Sequence, residues 1–235
     1  SCENGAYGEW SPVMCFTSAQ LNEVDLPYYD SFSQNRYVGE YFNPLDWIGY
    51  YIVDDNDGQY RYPSLAVDNG VNKVVYLYSA DAAQSTYLVS PRIKVDSLSK
   101  CQVSFRYKPD VELAKSQRAI VVGVVSNVSS RSMIQATFTP IDTIIVNGTL
   151  QYDHIVLSLA DYSGSGKYIA FKSDHDLNRA KVTDKGGTMG GFYIDDVLVE
   201  LIPTCHRPTD FRLMSLGDTY AEFIFAHSGA SKYDV

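Results

Sequence analysis

The chain has 235 residues, 45% of them hydrophobic and 13% aromatic, so it can bury a large core and is not a disordered tail. Its formal net charge of −9 argues against a nucleic-acid partner, because phosphates require a basic face. No stretch approaches the roughly 20 apolar residues of a membrane span, and no signal peptide is visible.

The abundance of two residue types favours an all-β fold. The chain contains 19 tyrosines, which prefer strands and half-buried positions to helix interiors. Its 28 acidic residues divide into 21 Asp and 7 Glu. An excess of Asp is expected where acids lie in turns and ion-binding loops, because Asp bonds its own backbone and Glu prefers helices.

Alternating segments bounded by turn residues recur along the chain, and none predicts a helix longer than about two turns. The clearest predicted strands are 74–78, 86–89, 102–107, 119–125, 143–146, 154–159, 167–171 and 192–201. About eight to ten strands between residues 26 and 202 predict an antiparallel jelly roll, a sandwich of two sheets.

The two ends of the chain differ from this central region. Residues 1–20 hold a turn-rich run and then a short predicted strand. Residues 203–235 open on prolines and contain two alternating segments, 211–216 and 220–225. We therefore expect three units, 1–20, 26–202 and 203–235, and interpret the chain as a piece of a longer multidomain protein.

Several sequence blocks resemble a known family. LPYYDSF at residues 26–32, DW at 46–47, YLVSP at 87–91 and FYIDDV at 192–197 follow one another in this order. This succession resembles the cleaved-adhesin domains, relatives of MAM domains in secreted and cell-surface proteins of Bacteroidetes-type bacteria. The resemblance implies a galactose-binding-like jelly roll with a role in adhesion, outside a bacterial cell.

The flanking segments resemble parts of fibronectin type III domains. Residues 1–20 look like the closing strands of one such domain, and residues 203–235 like the opening strands of the next. In such domains the two equivalent cysteines pair within one domain, so the resemblance implies that Cys2 and Cys205 would each have lost a partner here. The pattern departs from the family after the Asp-rich loop, where Tyr60 and Tyr62 stand near the position of the expected Trp.

Asp30 and the pair Asp195–Asp196 form the first candidate metal site. The first and last strands of a jelly roll are neighbours, so acids from both could meet on one ion, and the resemblance favours calcium. Calcium takes roughly six to eight oxygen ligands, which carboxylates and strand-end carbonyls supply. Successive strand residues face opposite sides, so only one of the two can face a given ion. Asp196 is the preferred ligand, with Asp195 paired or solvated. The alternative is that these acids cap turns.

Asp55 and Asp57 form a second candidate calcium site. They alternate in a turn that ends at Gly58, so their carboxylates could converge on one cation. No Glu follows at the twelfth loop position of an EF-hand. A solvated acidic turn is the alternative.

Candidate ligand contacts lie on aromatic residues and in one polar loop. Sugar binding requires exposed rings beside hydrogen-bonding groups, and Trp47, Tyr60 and Tyr62 could provide such rings. Most aromatic residues of a sandwich pack in its core, which is the alternative for these three. Asp174, His175 and Asp176 lie in a long polar loop that could line a ligand face or be a variable insertion.

Neither the cysteines nor the catalytic motifs indicate an enzyme. The four cysteines have no zinc-binding spacing, and whether Cys101 is free or bridged stays open. No GxSxG, HExxH or complete Walker sequence occurs, although abundant Asp leaves a paired-carboxylate glycosidase open.

We therefore expect a non-catalytic adhesion or carbohydrate-binding module, stabilised by calcium, that binds a glycan or a host or matrix protein. Neighbouring domains of the same polypeptide are further expected partners. The alternatives are a structural spacer between domains and an accessory domain of a secreted protease or glycosidase.

Overall fold

The fold is known from a computed structural model, which describes most of the central region and part of the C-terminal segment. The described residues are 23–33, 47–50, 52–53, 60–61, 63–79, 85–109, 118–146, 150–173, 190–203 and 209–226.

Strands make up most of the described residues. In chain order they are β1 (Glu23–Val24), β2 (Tyr28–Asp30), β3 (Ile48–Tyr50), β4 (Ile52–Val53), β5 (Tyr60–Arg61), β6 (Ser64–Asp68), β7 (Asn72–Ser79), β8 (Thr86–Val89), β9 (Arg92–Ile93), β10 (Cys101–Pro109), β11 (Arg118–Val125), β12 (Thr139–Val146), β13 (Asp153–Ser158), β14 (Tyr168–Ser173), β15 (Gly190–Leu201), β16 (Thr209–Leu216) and β17 (Ala221–Ala226). One 3-10 turn, Leu98–Lys100, and one α-helix, α1 (Arg131–Thr137), complete the described elements.

Two antiparallel sheets form the sandwich. The six-stranded sheet has the order β13-β10-β15-β7-β6, with β2 also paired to β15. The five-stranded sheet has the order β12-β11-β14-β8-β3. Three small pairings of described strands lie outside these sheets: β1 with β9, β4 with β5, and β16 with β17.

Apolar side chains from both sheets share one core. Alternate residues of β10, Val103, Phe105 and Tyr107, point into it, because a strand with one buried face places every second side chain there. Phe105 meets Phe171 of the opposite sheet edge-on, with 4.9 Å between ring centroids. Burial of apolar side chains is the dominant favourable term in folding, and the large aromatic rings bury the most surface per residue.

A second apolar cluster covers the outer face of the five-stranded sheet. The helix α1 begins after Ser130, whose hydroxyl accepts a hydrogen bond from the backbone N–H of Met133 at 3.2 Å. Its buried Ile134 then packs with Tyr87 and Val125 of the sheet. The outer face of the five-stranded sheet is therefore partly closed by this helix.

The long strand β15 changes its neighbour halfway along its length. Its first half, from Gly190 to Ile194, pairs with β7, and Val197 to Val199 pair with β2. On its other side β15 pairs with β10 along most of its length. The junction between the two partial neighbours lies beside Asp195 and Asp196.

The hairpin of β16 and β17 is mostly exposed where its side chains are described. Leu213, Met214, Leu216 and Tyr220 each show more than half of their surface to solvent. An isolated two-stranded hairpin is at best marginally stable in water.

The predicted fold class is confirmed: the chain is an all-β, two-sheet antiparallel sandwich. The first and last strands of residues 26–202 are neighbours, as expected for a jelly roll, since Asp30 of β2 lies opposite Val197 of β15. Cys101 is a free, buried thiol, and burial raises its pKa. Residues 1–20 and the cysteines Cys2 and Cys205 lie outside the described residues.

Candidate ligand-binding face

The outer face of the six-stranded sheet carries polar and aromatic side chains, and neither of the two described helical elements is packed on it. In β10 the residues that alternate with the core positions are Gln102, Ser104, Arg106 and Lys108. Tyr193 of β15 lies on this face. Tyr29 of β2 also lies on it, because its neighbour Tyr28 packs against the core. Charged residues on a strand face are expected to find partners there or to meet solvent.

A β-bulge brings Asp195 and Asp196 onto this same face. Arg106 lies opposite Asp195, but Ser104 lies opposite Leu198, so β15 has one residue more than β10 between these pairs. Arg106 also contacts Asp196 through its side chain. The prediction that the two acids point to opposite sides is therefore wrong, because the bulge interrupts the alternation.

The backbone has a left-handed conformation at the junction in β15. Among the described residues, three that are not glycine have positive φ angles: Phe32 at 55°, Asn69 at 50° and Asp196 at 50°. Phe32 follows β2, Asn69 lies in the turn between β6 and β7, and Asp196 lies in the bulge. Asn and Asp adopt this conformation more readily than most residues, so Asp196 suits its position in the bulge.

Three residues at the junction form a solvent-accessible group that we call the Tyr29 patch: Tyr29, Arg106 and Asp196. The hydroxyl of Tyr29 donates to Oδ1 of Asp196 at 2.5 Å, and Nη1 of Arg106 donates to Oδ2 at 3.1 Å. Tyr29 exposes 57% of its surface. The hydrogen bond to Asp196 and burial raise the pKa of Tyr29 to about 12, so its hydroxyl stays a donor at neutral pH.

A buried ion pair lies beside the patch. Nζ of Lys108 donates to both carboxylate oxygens of Asp68, at 2.7 and 2.8 Å, and both residues are buried. The ammonium also lies over the rings of Tyr152 and Tyr193, at 4.7 and 5.3 Å from their centroids. Burial and the nearby Asp68 carboxylate raise the pKa of Tyr152.

The ring of Tyr152 also orients the patch. The guanidinium carbon of Arg106 lies 4.6 Å from the centroid of this ring, so Arg106 is held between Tyr152 and Asp196. The hydroxyl of Tyr152 is buried and makes no hydrogen bond within the described part of the chain. The Arg106 head is therefore positioned before any ligand arrives.

Asp195 is buried within the same face. Its Oδ2 accepts from Nδ2 of Asn72 at 2.8 Å, and its Oδ1 accepts from the backbone N–H of Asp196 at 2.8 Å. Burial raises the pKa of its carboxyl group, and the neighbouring Asp196 charge adds to the increase. Asp195 therefore has a structural role in the bulge.

Asp30 and Trp47 are structural residues on the core side of the sheet. Nε1 of Trp47 donates to Oδ2 of Asp30 at 2.9 Å, and the backbone N–H of Phe32 donates to Oδ1 at 2.7 Å. Trp47 is only 2% exposed and packs against Phe32 and Phe171. The prediction that Trp47 presents its ring to a ligand is therefore corrected: it belongs to the core.

The strands of Asp30 and Asp196 are neighbours, as expected, but the two carboxylates do not come together. Asp30 points to the core side and Asp196 to the outer side of the sheet. Among the described residues, no three His, Cys, Asp or Glu side chains come together in a way that could hold a metal ion. Calcium binding stays a prediction.

The remaining predicted site residues are not placed. Tyr60 begins β5, but its side chain lies outside the described part of the chain. Asp55, Asp57, Tyr62, Asp174, His175 and Asp176 lie outside the described residues.

Sequence reasoning did not assign Tyr29, Arg106, Lys108 or Tyr152 to the site. Arg106 and Lys108 alternate with apolar residues in the predicted strand 102–107 and its extension, which marks them as outward-facing. Tyr29 belongs to a block of the resemblance, but its pairing with Asp196 joins residues 167 positions apart. No local signal predicts such a contact.

The comparisons with known proteins concern the fold. No family model and no curated protein sequence matches the chain. Among solved structures, the K2 cleaved adhesin domain of Lys-gingipain is 16% identical, with a TM-score of 0.47, covering 74% of this chain and 99% of that one. The K1 domain from Porphyromonas gingivalis W83 is 16% identical, with a TM-score of 0.45, covering 75% and 98%.

A third similar structure is the CBM22-2 xylan-binding domain of Paenibacillus barcinonensis Xyn10C. It is 11% identical, with a TM-score of 0.45, covering 74% of this chain and 99% of that domain. Cleaved adhesin domains, which the sequence blocks resemble, are thus among the solved structures similar to this chain. The resemblance of the flanking segments to fibronectin type III domains stays a prediction. No helix in the described residues has the length and apolar character needed to cross a membrane.

Proposed function

We propose that the chain is a non-catalytic carbohydrate-binding module that uses the Tyr29 patch as its binding surface. The observation that carries this proposal is an exposed ring fixed beside a pre-positioned carboxylate and guanidinium. Tyr29 is 57% exposed, its hydroxyl is held by Asp196, and the same carboxylate is held by Arg106.

This arrangement matches the two faces of a sugar ring. The C–H face of a sugar is apolar and packs on an aromatic ring, while its hydroxyl groups require donors and acceptors at the edge. Tyr29 offers the ring, Asp196 accepts hydrogen bonds, and Arg106 donates them. Because Tyr29 and Arg106 both already contact Asp196, little rotamer entropy is lost when a ligand binds.

The proposed role is binding without chemistry. Within the Tyr29 patch, the carboxylate and the guanidinium already neutralise each other, and the raised pKa of Tyr29 keeps its hydroxyl protonated at neutral pH. None of these groups is a free base or nucleophile in this arrangement. Adhesion outside a bacterial cell and a location between other domains belong to this proposal as expectations from the sequence.

The proposal is tested on an array of oligosaccharides, followed by titration calorimetry with the glycans that bind. We expect Tyr29→Ala to weaken binding by about tenfold to a hundredfold, because the stacking ring is lost. Tyr29→Phe should weaken it less, because the ring remains while its bond to Asp196 is lost.

Tyr220→Ala is the matched control. Tyr220 is also exposed, at 60%, but it lies at the β16–β17 hairpin and outside the sandwich sheets. Binding that Tyr220→Ala abolishes and Tyr29→Ala leaves intact would place the site elsewhere. Absence of binding to every glycan would refute the proposal and favour the structural spacer.

A further inference from the structure

We infer that the Tyr29 patch selects neutral sugars with adjacent hydroxyl groups and discriminates against acidic sugars. This inference rests on the proposed function and specifies its ligand class. It follows from how the charges of this face are paired.

Each described cation of the outer face near the patch already has an anionic partner. Nη1 of Arg106 contacts Oδ2 of Asp196 at 3.1 Å, and Nζ of Lys108 contacts both oxygens of Asp68. Lys108 is also only 7% exposed, so a ligand cannot reach it. Asp195 adds a further acid to this face. The described groups therefore offer a carboxylate-bearing ligand no unpaired cation.

An acidic sugar would have to compete with Asp196 for Arg106. If it displaced Asp196, that carboxylate would lose its cation beside a second, newly bound carboxylate. Like charges brought together at an interface are strongly unfavourable. A neutral sugar creates no such conflict, because it leaves the ion pair in place.

The hydrogen-bonding groups that remain are suited to a pair of neighbouring hydroxyls. A guanidinium has five N–H donors, and a carboxylate has about four acceptor positions, so both retain capacity after their mutual contact. One sugar hydroxyl can donate to Asp196 while the adjacent one accepts from Arg106. The two protein groups are adjacent, which requires the two hydroxyls to be adjacent as well.

His154 is the other basic group to consider on this face. It lies on β13 opposite Arg106, and it is exposed. The binding assays are therefore repeated with His154→Asn, which removes the imidazole from this face. In this variant no basic side chain at position 154 can attract an acidic ligand.

The test compares neutral and acidic probes on the wild-type chain. The neutral probes are cellohexaose, mannohexaose and xylohexaose; the matched pair is oligogalacturonate and its methyl ester, which differ in charge at the carboxyl groups. We expect a neutral probe to bind at least about tenfold more tightly than oligogalacturonate, with the ester stronger than the acid. Periodate treatment, which cleaves adjacent diols, should abolish binding of the neutral probe.

A charge variant makes the test more specific. Asp196→Asn keeps a residue that tolerates the left-handed conformation and leaves Arg106 without its anionic partner. We expect this variant to lose affinity for the neutral probe and to gain affinity for oligogalacturonate by about tenfold. Asp142→Asn, which makes the same charge change on β12 of the other sheet, should change neither affinity by more than about twofold.

The outcomes separate the two proposals. If oligogalacturonate binds the wild-type chain as tightly as the neutral probes, the inference of neutral selectivity is overturned and the carbohydrate-binding proposal stands. If no probe binds, both are overturned. If Asp142→Asn shifts the preference as much as Asp196→Asn does, net charge explains the effect and the patch does not.

Discussion

Two consecutive acids, Asp195 and Asp196, share one face of the sheet but have different environments. Asp195 is 2% exposed and bonded to Asn72, while Asp196 reaches Tyr29 and Arg106 near the solvent. Burial without a cation raises the pKa of an acid, because the charged form loses its hydration. The two carboxyl groups should therefore differ in their contribution to stability.

We expect Asp195 to make the sandwich less stable as the pH rises. Its pKa in the folded chain lies above the ordinary aspartate value of 3.8, so its contribution is fully present below that value and is lost as the pH rises through the folded pKa. Asp195→Asn should therefore gain stability relative to the wild type as the pH rises above about 4, since the Asn72 amide can rotate to accept its hydrogen bond.

The measurement is urea unfolding over that pH range. The difference in unfolding free energy between wild type and Asp195→Asn should change with pH, and it should change more than the difference for the exposed control Asp142→Asn. A pH-independent difference for Asp195→Asn would show that its carboxyl group titrates normally.

The pair of Asp68 and Lys108 gives a second prediction. Asp68→Asn leaves a buried ammonium without its anion and should lower the unfolding free energy by about 3–5 kcal/mol. Asp96→Asn removes the exposed pair with Lys100 and should cost less than about 1 kcal/mol.

A double variant tests the reason for this cost. Asp68→Leu combined with Lys108→Met removes both charges, so it should be more stable than Asp68→Asn, as buried pairs often can be replaced by apolar residues. Equal or greater loss in the double variant, again by urea unfolding, would show that the ion pair itself stabilises the fold.

For single residues, the sequence indicated which ones belong near the site better than it indicated which side of the sheet each one faces. The IDDV block marked Asp195 and Asp196, but strand alternation placed them on opposite sides, and a bulge has no signal in the local sequence. Trp47 was expected at a ligand face and lies in the core, because local sequence does not reveal which aromatic residues another sheet will cover.

At the scale of elements, β15 organises the site because three other strands pair with it: β7, β2 and β10. Its first residues also run close to a neighbouring backbone. A Cβ at Gly191 would lie 2.5 Å from the carbonyl oxygen of Leu77 and 2.6 Å from the Tyr76 ring. Glycine permits this approach, and the Tyr76 ring then packs against Tyr193, 5.6 Å away.

Gly191→Ala should therefore destabilise the sandwich by about 1–3 kcal/mol, since the added methyl group has to displace backbone atoms. Thermal and urea unfolding measure the loss. Gly70→Asn is the control: Gly70 has a φ of 78°, a Cβ added there would meet no atom within 4 Å, and Asn tolerates that conformation. A loss in Gly191→Ala no larger than in Gly70→Asn would contradict the close approach.

Most strands could be predicted because their alternation is local. The predicted segment 119–125 agrees with Arg118–Val125, and 167–171 with Tyr168–Ser173. The three-residue strand Tyr28–Asp30 has too few residues for a periodic signal, and its position depends on pairing with a strand far away in the sequence. The junction in β15 could not be predicted for the same reason.

At the scale of the whole molecule, the two sheets have unlike outer surfaces. The five-stranded sheet is packed against Ile134 of α1, while the six-stranded sheet exposes Tyr29 beside charged groups. One outer surface therefore adds apolar packing to the fold, and the other carries the Tyr29 patch. The sequence predicted the sandwich but could not tell which sheet would carry the site, because that depends on the order of strands in space.

Calcium remains a prediction for the molecule as a whole, and we expect a chelator to lower its melting temperature. The described carboxylates of Asp30, Asp195 and Asp196 are held by protein donors. We therefore expect Asp55→Asn combined with Asp57→Asn to remove the chelator sensitivity, and Asp196→Asn to retain it. Scanning calorimetry with and without chelator measures both. An unchanged melting curve in the wild type would refute calcium stabilisation.

The hairpin of β16 and β17 should contribute little to the stability of the sandwich, as its described side chains are mostly exposed. Removing residues 204–235 should therefore leave the melting temperature within about 2 °C, a shift that corresponds to a small change in free energy. A larger decrease would show that residues 26–202 need the C-terminal segment and would contradict the expected boundary.

The contact between Tyr29 and Asp196 spans 167 positions, which has a consequence for biosynthesis. The ribosome synthesises β2 long before β15, so β2 emerges before the strand with which it pairs is available. Long-range pairing of this kind is slow because the chain loses the entropy of loop closure before the stabilising contacts form. A nascent polypeptide interrupted before residue 190 would therefore contain Tyr29 and Arg106 but lack Asp196, which joins them, so the Tyr29 patch could not form.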